Sequence, residues 1–340
     1  MKILGIESSC DETAASVVEV STNKTFVKML STVTATSLDL HAKTGGIIPE
    51  VAARNQIKYI IPVIYEALEQ AGIENMQSPD IDAIAVTYGP GLIGSLLVGV
   101  ETAKTLAYIW DKPLIPVNHL FGHLYANFVE NTPQFPAIGL VISGGHTDLV
   151  LMKNYSETIW LGGTRDDAAG EAFDKIGRML GLSYPAGPAI EQLAKKGNPK
   201  AYQFPRPLKY DKALDFSFSG LKTAVLRIVE KTKQLDSQTI ADICYGTQEA
   251  ISDVIVYKTV QAIQQYKVKS VLLGGGVAAN TTMTKKLQAV LQEKLLHVTL
   301  HVPPRSLCTD NGTMIAAAAA FQNKTTSWKN LTANPELYFV

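Results

Sequence analysis

The sequence predicts an α/β protein whose two lobes repeat one architectural unit around a central cleft. Three observations lead there. Strand-length apolar segments alternate with helix-length periodic ones along the 340 residues, the order that builds sheets covered by helices. A strand, a tight polar turn and a second strand open the chain, and the same trio recurs mid-chain with SGGHT where the first copy has SSCDET. Gly-rich turns stand at strand ends, where α/β proteins place their ligands.

The elements follow in order. Lys2 to Glu7 reads as a strand, SSCDET as a turn, Ala14 to Val20 as a second strand and about Thr25 to Val33 as a third. A helix runs from about Pro49 to Ala71; paired glycines, then a proline and a first-turn glutamate in IIPEV, mark its start. Its apolar stripe comprises Ile57, Ile60, Ile61, Ile64 and Leu68. The strand DAIAVTYG leads through GPGLIG into a helix ending near Trp110. Leu114 to Val117 is a strand feeding a helix with His119 and His123. Next come the paired strands of AIGLVISGGHTDLVLM, a third near Thr158 to Leu161, and a helix from Ala168 to Leu180. The stretch from YPAGP through about 216 reads as irregular. Two long helices, the strand and turn SVLLGGGVAAN, a further helix and a last one from near Gly312 complete the chain. The boundary is expected near 112, giving lobes 1–112 and 113–309, with the final helix, about 310–325, packing back on the first. Its run IAAAAA suits close helix packing.

Bulk properties narrow the classes. Basic and acidic residues balance at 31 each, so no overall positive field announces a nucleic-acid binder, although a local patch could serve. The segment KKGNPKAYQFPRPLKYDK, 195–212, is such a patch, with Tyr202, Phe204 and Tyr210 interleaved for stacking; a solvated loop is the plain alternative. No apolar run approaches the ~20 residues that span a bilayer, and MKILGIESSCDE lacks the apolar core of a signal peptide. Cys10, Cys244 and Cys308 form no CxxC pair. The expectation is a cytoplasmic protein with reduced thiols and no membrane contact.

His119 and His123 lie four apart on one helix face and could grip one metal ion, though most such pairs bind nothing. A zinc peptidase would need a glutamate directly after the first histidine; Leu120 stands there and cannot take a proton. Three turns could meet an anion. ISGGHT offers adjacent glycines whose N–H groups can be approached closely. SSCDET offers hydroxyls with Asp11 and Glu12. GGGVAAN opens a helix, whose N-terminus favours negative charge. Any one of them is most often just a turn. Together, in a duplicated α/β chain, they resemble the actin–sugar kinase–heat-shock ATPase superfamily, which implies a nucleotide or nucleotide ester in the cleft.

A narrower resemblance covers nearly the whole chain. IESSCDETAASVVE, HAKTGGIIPEVAAR, TYGPGLIGSLLVG, NHLFGH, VISGGHT, TRDDAAGEAFDKIGRMLGL, FSFSGLKTA, LLGGGVAAN and CTDNGTMIA, in this order, resemble the bacterial TsaD (Gcp) family, related to the KEOPS catalytic subunit. The resemblance implies transfer of threonylcarbamoyl from threonylcarbamoyl-AMP to N6 of the adenosine beside the anticodon of tRNAs reading ANN codons, with release of AMP. It implies His119, His123 and Asp310 as ligands of one divalent ion, iron(II) or alternatively zinc. It implies substrate binding at Val141, Ile142, Ser143, Gly144, Gly145, Asp174, Gly187 and Asn280, with Glu191 as an acidic ribose contact. Implied partners are tRNA, a TsaB-type dimerising subunit and a TsaE-type ATPase. Asp11 and Glu12 are candidates for general base or substrate orienter, and equally for turn caps. Three positions depart from the family pattern: Phe121 replaces a usual glutamate, Gln56 a frequent histidine and Ala186 a glycine. The competing readings are a metallopeptidase, a non-catalytic actin-like partner subunit and a sugar kinase.

Overall fold

The structure is a computed structural model describing residues 1–37, 47–232, 235–322 and 324–339. HAKTGG, 41–46, and with it the glycine pair expected ahead of the first helix, lies outside the described residues.

The chain divides into two compact units, Met1–Pro133 with Pro303–Val340, and Gln134–Val302. The first holds strands β1 (Lys2–Glu7), β2 (Glu12–Val20), β3 (Val27–Thr36), β4 (Ala83–Gly89) and β5 (Leu114–Asn118) and helices α1 (Pro49–Gln70), α2 (Ile93–Ile109) and α3 (His119–Tyr125). Its sheet runs β3-β2-β1-β4-β5, with β1, β2 and β3 antiparallel and β4 and β5 added in parallel. The second unit holds β6 (Ala137–Ile142), β7 (Thr147–Met152), β8 (Thr158–Gly163), α4 (Ala169–Met179), α5 (Ala186–Ala194), α6 (Ser219–Lys231), α7 (Ser237–Tyr266), β9 (Ser270–Gly274), α8 (Thr281–Lys294) and β10 (Thr299–His301). Its order, β8-β7-β6-β9-β10, is the same topology: an antiparallel trio followed by two parallel strands. The duplication read from the turns is therefore a duplication of sheets. The chain then returns to the first unit with α9 (Arg305–Cys308) and α10 (Gly312–Gln322).

The unit boundary at 133 differs from the one expected near 112. Strand β5 does not open the second copy. It pairs with β4 from Ile84 opposite Leu114 onward and so closes the first sheet.

Both faces of the first sheet are covered, which is why β1 reads apolar at consecutive positions. Leu4 and Ile6 join Ile60, Ile64, Leu68, Val100 and Leu106 in a core beneath α1 and α2, where each fully buried aliphatic side chain contributes about 1.5–3 kcal/mol. On the other face α10 lies against β1 and β2. There a Cβ on Gly5 would meet the Gly312 carbonyl at 2.3 Å, and Ala316 through Ala319 are fully buried. The alanine run is a close-approach surface.

Two elements differ from the sequence reading. On α1 the core takes Ile60, Val63, Ile64, Ala67 and Leu68, while Ile57 and Ile61 are 65% and 40% exposed. The helix carries two apolar stripes and only one faces this core. Within the stretch read as irregular, Ala186–Ala194 forms α5. Gly187 and Pro188 look like breakers, but a proline is compatible with a first helical turn, where N–H groups lack intrahelical partners.

Candidate functional site

In the first unit, β5 ends at Asn118, whose side-chain oxygen accepts from Leu120 N–H at 2.9 Å and so starts α3 at His119. Gly122 lies against α10: a Cβ there would sit 2.8 Å from Ile315 Cδ1. With no side chain at 122, the histidine face approaches the N-terminal end of α10, where Asn311 caps the helix through Met314 N–H at 2.8 Å and Asp310 precedes it. His119 Nε2 and His123 Nε2 then stand 3.6 and 3.3 Å from Asp310 Oδ1. Among the described residues, His119, His123 and Asp310 form a group whose ligand atoms all lie within 4.8 Å of one another.

The chemistry of these side chains fits a divalent metal. His123 is 1% exposed and, beyond the 3.3 Å approach of Asp310 to Nε2, which does not form a hydrogen bond, neither ring nitrogen has a partner, a costly arrangement unless a ligand engages them. His119 is held through its other nitrogen: Nδ1 lies 3.1 Å from Glu7 Oε2 and 3.2 Å from Ser9 Oγ, leaving Nε2 toward Asp310. A carboxylate behind a histidine is how metal-binding imidazoles are oriented. Glu7 is itself fully buried, accepting from Ser9 N–H at 2.6 Å and from the Thr87 hydroxyl. Burial opposes charge on His119, but the carboxylates of Asp310 and Glu7 outweigh it and raise its pKa from 6.5 to about 9.

Glu7 was not legible as a site residue. Its one signal is a carboxylate closing a strand that is apolar from Ile3 to Ile6. Phe121, at the family's usual glutamate, packs edge-on against Phe339 at 5.2 Å and belongs to an apolar contact. Leu120 is fully buried, so the peptidase reading has no base at that position.

The SSCDET turn beside the histidines is tightly tied. Gln56 is buried and its amide donates to the carbonyls of Ser8, Cys10 and Glu12 at 3.3, 3.1 and 3.0 Å. Ser95 Oγ donates to Cys10 O at 3.0 Å, and a Cβ on Gly91 would meet Ser9 O at 2.6 Å. GPGLIG thus braces this turn. Burial, then Asp310 and Asp11, push the Glu12 carboxyl well above its ordinary value. Burial with Asp310, Asp11 and Glu12 around it does the same for the Cys10 thiol, which disfavours a thiolate there.

In the second unit the implied substrate positions follow a closed circuit of contacts at the ends of β6 and β9. Val141 and Ile142 end β6. The Ser143 carbonyl accepts from Gly170 N–H at 3.2 Å at the start of α4, where a Cβ on Gly170 would meet that oxygen at 2.5 Å. Further along α4, Asp174 accepts from Ala186 N–H at 2.7 Å and so holds the start of α5; burial raises its pKa despite that bond. On α5, Glu191 accepts from the Thr281 N–H at 2.8 Å and from its hydroxyl, at the start of α8. Asn280 caps α8 through Met283 N–H and donates to Gln248 Oε1 at 3.1 Å. Gly275, at φ +91°, returns to β6, since a Cβ there would meet Ile142 O at 2.3 Å. Gly144, Gly145 and Gly187 differ: a Cβ on any of them would meet nothing within 4 Å. The circuit is packed around its rim and bare at these three glycines. Ala186, the third departure, fills the space opposite Gly177 with its methyl group.

The family model for tRNA N6-adenosine threonylcarbamoyltransferase, TsaD, matches residues 28–317. The chain belongs to that family. Two TsaD relatives, each named tRNA N6-adenosine threonylcarbamoyltransferase, come from Symbiobacterium thermophilum and Moorella thermoacetica. The first is 51% identical, over 94% of this chain and 91% of its own; the second is 48% identical over the same shares. The crystal structure of component A of (R)-2-hydroxyglutaryl-CoA dehydratase from Acidaminococcus fermentans is similar with a TM-score of 0.53 at 17% identity, covering 95% of this chain and 98% of that one. With the two 3-2-1-4-5 sheets, that likeness gives the chain an actin–sugar kinase–heat-shock ATPase-like fold. No helix among the described residues is long and apolar enough to cross a membrane.

Proposed function

We propose that the protein transfers the threonylcarbamoyl group of threonylcarbamoyl-AMP to N6 of the adenosine next to the anticodon in tRNAs reading ANN codons. The observation that carries this reading is membership of the tRNA N6-adenosine threonylcarbamoyltransferase family across residues 28–317. In the reaction N6 attacks the carbamoyl carbon, the carbon–oxygen bond to phosphate breaks, AMP leaves and N6 gives up one proton. An exocyclic amine is a weak nucleophile, so alignment and stabilisation of the leaving phosphate carry the rate.

The chain's own residues suit those tasks. Bare backbone at Gly144 and Gly145, after Val141, Ile142 and Ser143, lets phosphate or ribose oxygens approach N–H groups closely. Gly187 offers the same at the start of α5, and Glu191, Asp174 and Asn280 hold the helix starts in place. Asp11 and Glu12, on the tied turn, orient substrate or accept the proton. His119, His123 and Asp310 would hold one divalent ion, and Glu7 orients His119 for it. Two imidazoles and a carboxylate match iron(II), with zinc as the alternative. When bound, the ion supplies positive charge that polarises substrate oxygens.

A TsaB-type subunit is the proposed dimerising partner and a TsaE-type ATPase a further one. The exposed row Ile57, Ile61 and Tyr65 on α1, with Ile93 and Leu97 on α2, supports a protein partner, since these side chains find no cover in the unit they belong to. Three free cysteines support a cytoplasmic setting.

The test is mass spectrometry of tRNA nucleosides from cells depleted of this protein. Threonylcarbamoyladenosine should fall on depletion and return with the wild-type chain but not with His119→Ala. Unchanged modification under verified depletion overturns the reading.

A further inference from the structure

Residues 195–212 carry six basic side chains and one acidic one in a chain whose formal charge is zero. Neither candidate site draws on them. The part from Phe204 to Ala213 contains no helix or strand, yet it is fastened along one side of α7. Phe204 is buried against Gly246, where a Cβ would lie 2.8 Å from its ring. Arg206 Nε donates to Asp253 at 2.9 Å and its Nη1 to the Phe204 carbonyl at 2.6 Å. Gln261 Nε2 donates to the Lys212 carbonyl at 3.2 Å. Lys258 is fully buried and gives its ammonium protons to main chain, to Asp211 O at 2.8 Å and to the carbonyl of Ala213. A buried ammonium is costly to desolvate; here it fixes a surface segment in one conformation.

What that conformation presents is aromatic and cationic. Tyr210 is 77% exposed, and Tyr257, contributed by α7, is 40% exposed. Their rings meet edge to face at 5.3 Å, with Lys209 Nζ 5.3 Å from one centroid and 5.8 Å from the other. Nearby carboxylates are engaged within the segment's own anchoring: Asp211 accepts from Ala213 N–H at 3.0 Å, and Asp253 from Arg206 and Lys286. An exposed ring on a rigid base with lysines beside it matches the two halves of a single-stranded nucleic-acid contact, a stacking platform and phosphate-binding cations. A purely apolar partner would leave the lysines unmatched.

We propose that Lys209, Tyr210 and Tyr257 form an RNA contact in which an unpaired base of the tRNA stacks on Tyr210 while Lys209 and Lys212 meet its phosphates. The proposal rests on the transferase reading, of which it names one substrate surface. Lys258 is the positioning residue that holds the platform in place.

The experiment measures binding of an ANN-reading tRNA transcript to the full chain by filter retention, from low to moderate salt. Tyr210→Ala weakens binding about tenfold, as loss of one base–aromatic stack does, while Tyr210→Phe retains it. Lys209→Gln lowers the slope of log affinity against log salt by about one. Thermal unfolding of each variant matches the wild type. Equal affinity of Tyr210→Ala and wild type overturns the contact, and so does a wild-type chain that binds no tRNA. A protein co-purifying with wild type but not with Tyr210→Ala, with tRNA binding unchanged, overturns it in favour of a protein surface. None of these results touches the transferase reading, which stands or falls on the cellular nucleoside measurement.

Discussion

The two sheets share one strand order, yet the turns between their first two strands are built in opposite ways. The turn after β1 is crowded. Gln56, Ser95 and Gly91 close on its main chain, and the charge of Asp310 is felt at Cys10 and Glu12. The turn after β6 is bare, with Gly144 and Gly145 facing open space and a packed rim behind them. One copy of the hairpin presents braced polar side chains and the other a stretch of accessible backbone. The two sheets offer equivalent positions, and the residues placed in each turn make them differ.

That contrast can be broken at several points. The largest effect is expected in the first unit. His119→Ala, His123→Ala or Asp310→Asn should each remove bound metal, measured by elemental analysis, and lower transferase activity by more than about a hundredfold. Full metal content and activity in all three would end the metal assignment. Glu7→Gln should act in the same direction more weakly, costing about 10- to 100-fold in metal affinity, because it orients His119 without touching the ion. A variant with unchanged affinity would make Glu7 a purely structural residue.

The second unit should separate stability from binding. Gly275→Ala places a methyl group against the Ile142 carbonyl at a positive φ and should destabilise by about 3 kcal/mol, read from thermal unfolding. Gly144→Ala should leave stability within about 0.5 kcal/mol and weaken AMP binding about tenfold in calorimetry. If Gly144→Ala also unfolds the protein, the bare turn is a packing element after all.

The smallest effect concerns pH. Burial pushes Asp166 up, but hydrogen bonds from the Ser217 and Ser219 hydroxyls and the Phe218 and Ser219 N–H groups outweigh it and hold the pKa below 3.8. A depressed folded pKa contributes stability above the unfolded value and loses it as pH falls through the folded one. Asp166→Asn should therefore cost stability at neutral pH and flatten the acid limb of the profile below about pH 4, where the wild type has lost the same contribution. An identical acid limb would show that these bonds do not distinguish the charged form.

Much of this was legible in the sequence because local chemistry decides it. The strand–turn–strand openings, the helix starts at Pro49 and His119 and the glycine turns all carry short-range signals. The histidine pair was legible as a candidate from its helical spacing, but Asp310 only through the resemblance, since 187 positions separate it from His123. What failed was tertiary. Sequence periodicity finds apolar stripes but not which one this core will use, so Ile57 and Ile61 were assigned inward. Strand β5 looked like the start of a repeat because pairing partners are invisible along a chain. Glu7 and Gln56 act on groups 112 and 44 to 48 residues away, and Tyr257 joins Tyr210 only because α7 runs beneath the loop.

The first unit is made of two stretches, 1–133 and 303–340, with the second unit entered between them. A ribosome delivers the chain in order, at roughly 5–20 residues per second. The second unit, being continuous, is fully supplied before residue 303 is added, while the first waits for the helix that backs its sheet. Asp310 therefore reaches the histidines roughly 10–40 s after His123 is synthesised. The nascent protein can hold two of the three candidate ligands throughout that interval but not the set. Completion of the trio thus coincides with completion of the fold, so an ion that needs all three ligands reports a finished molecule.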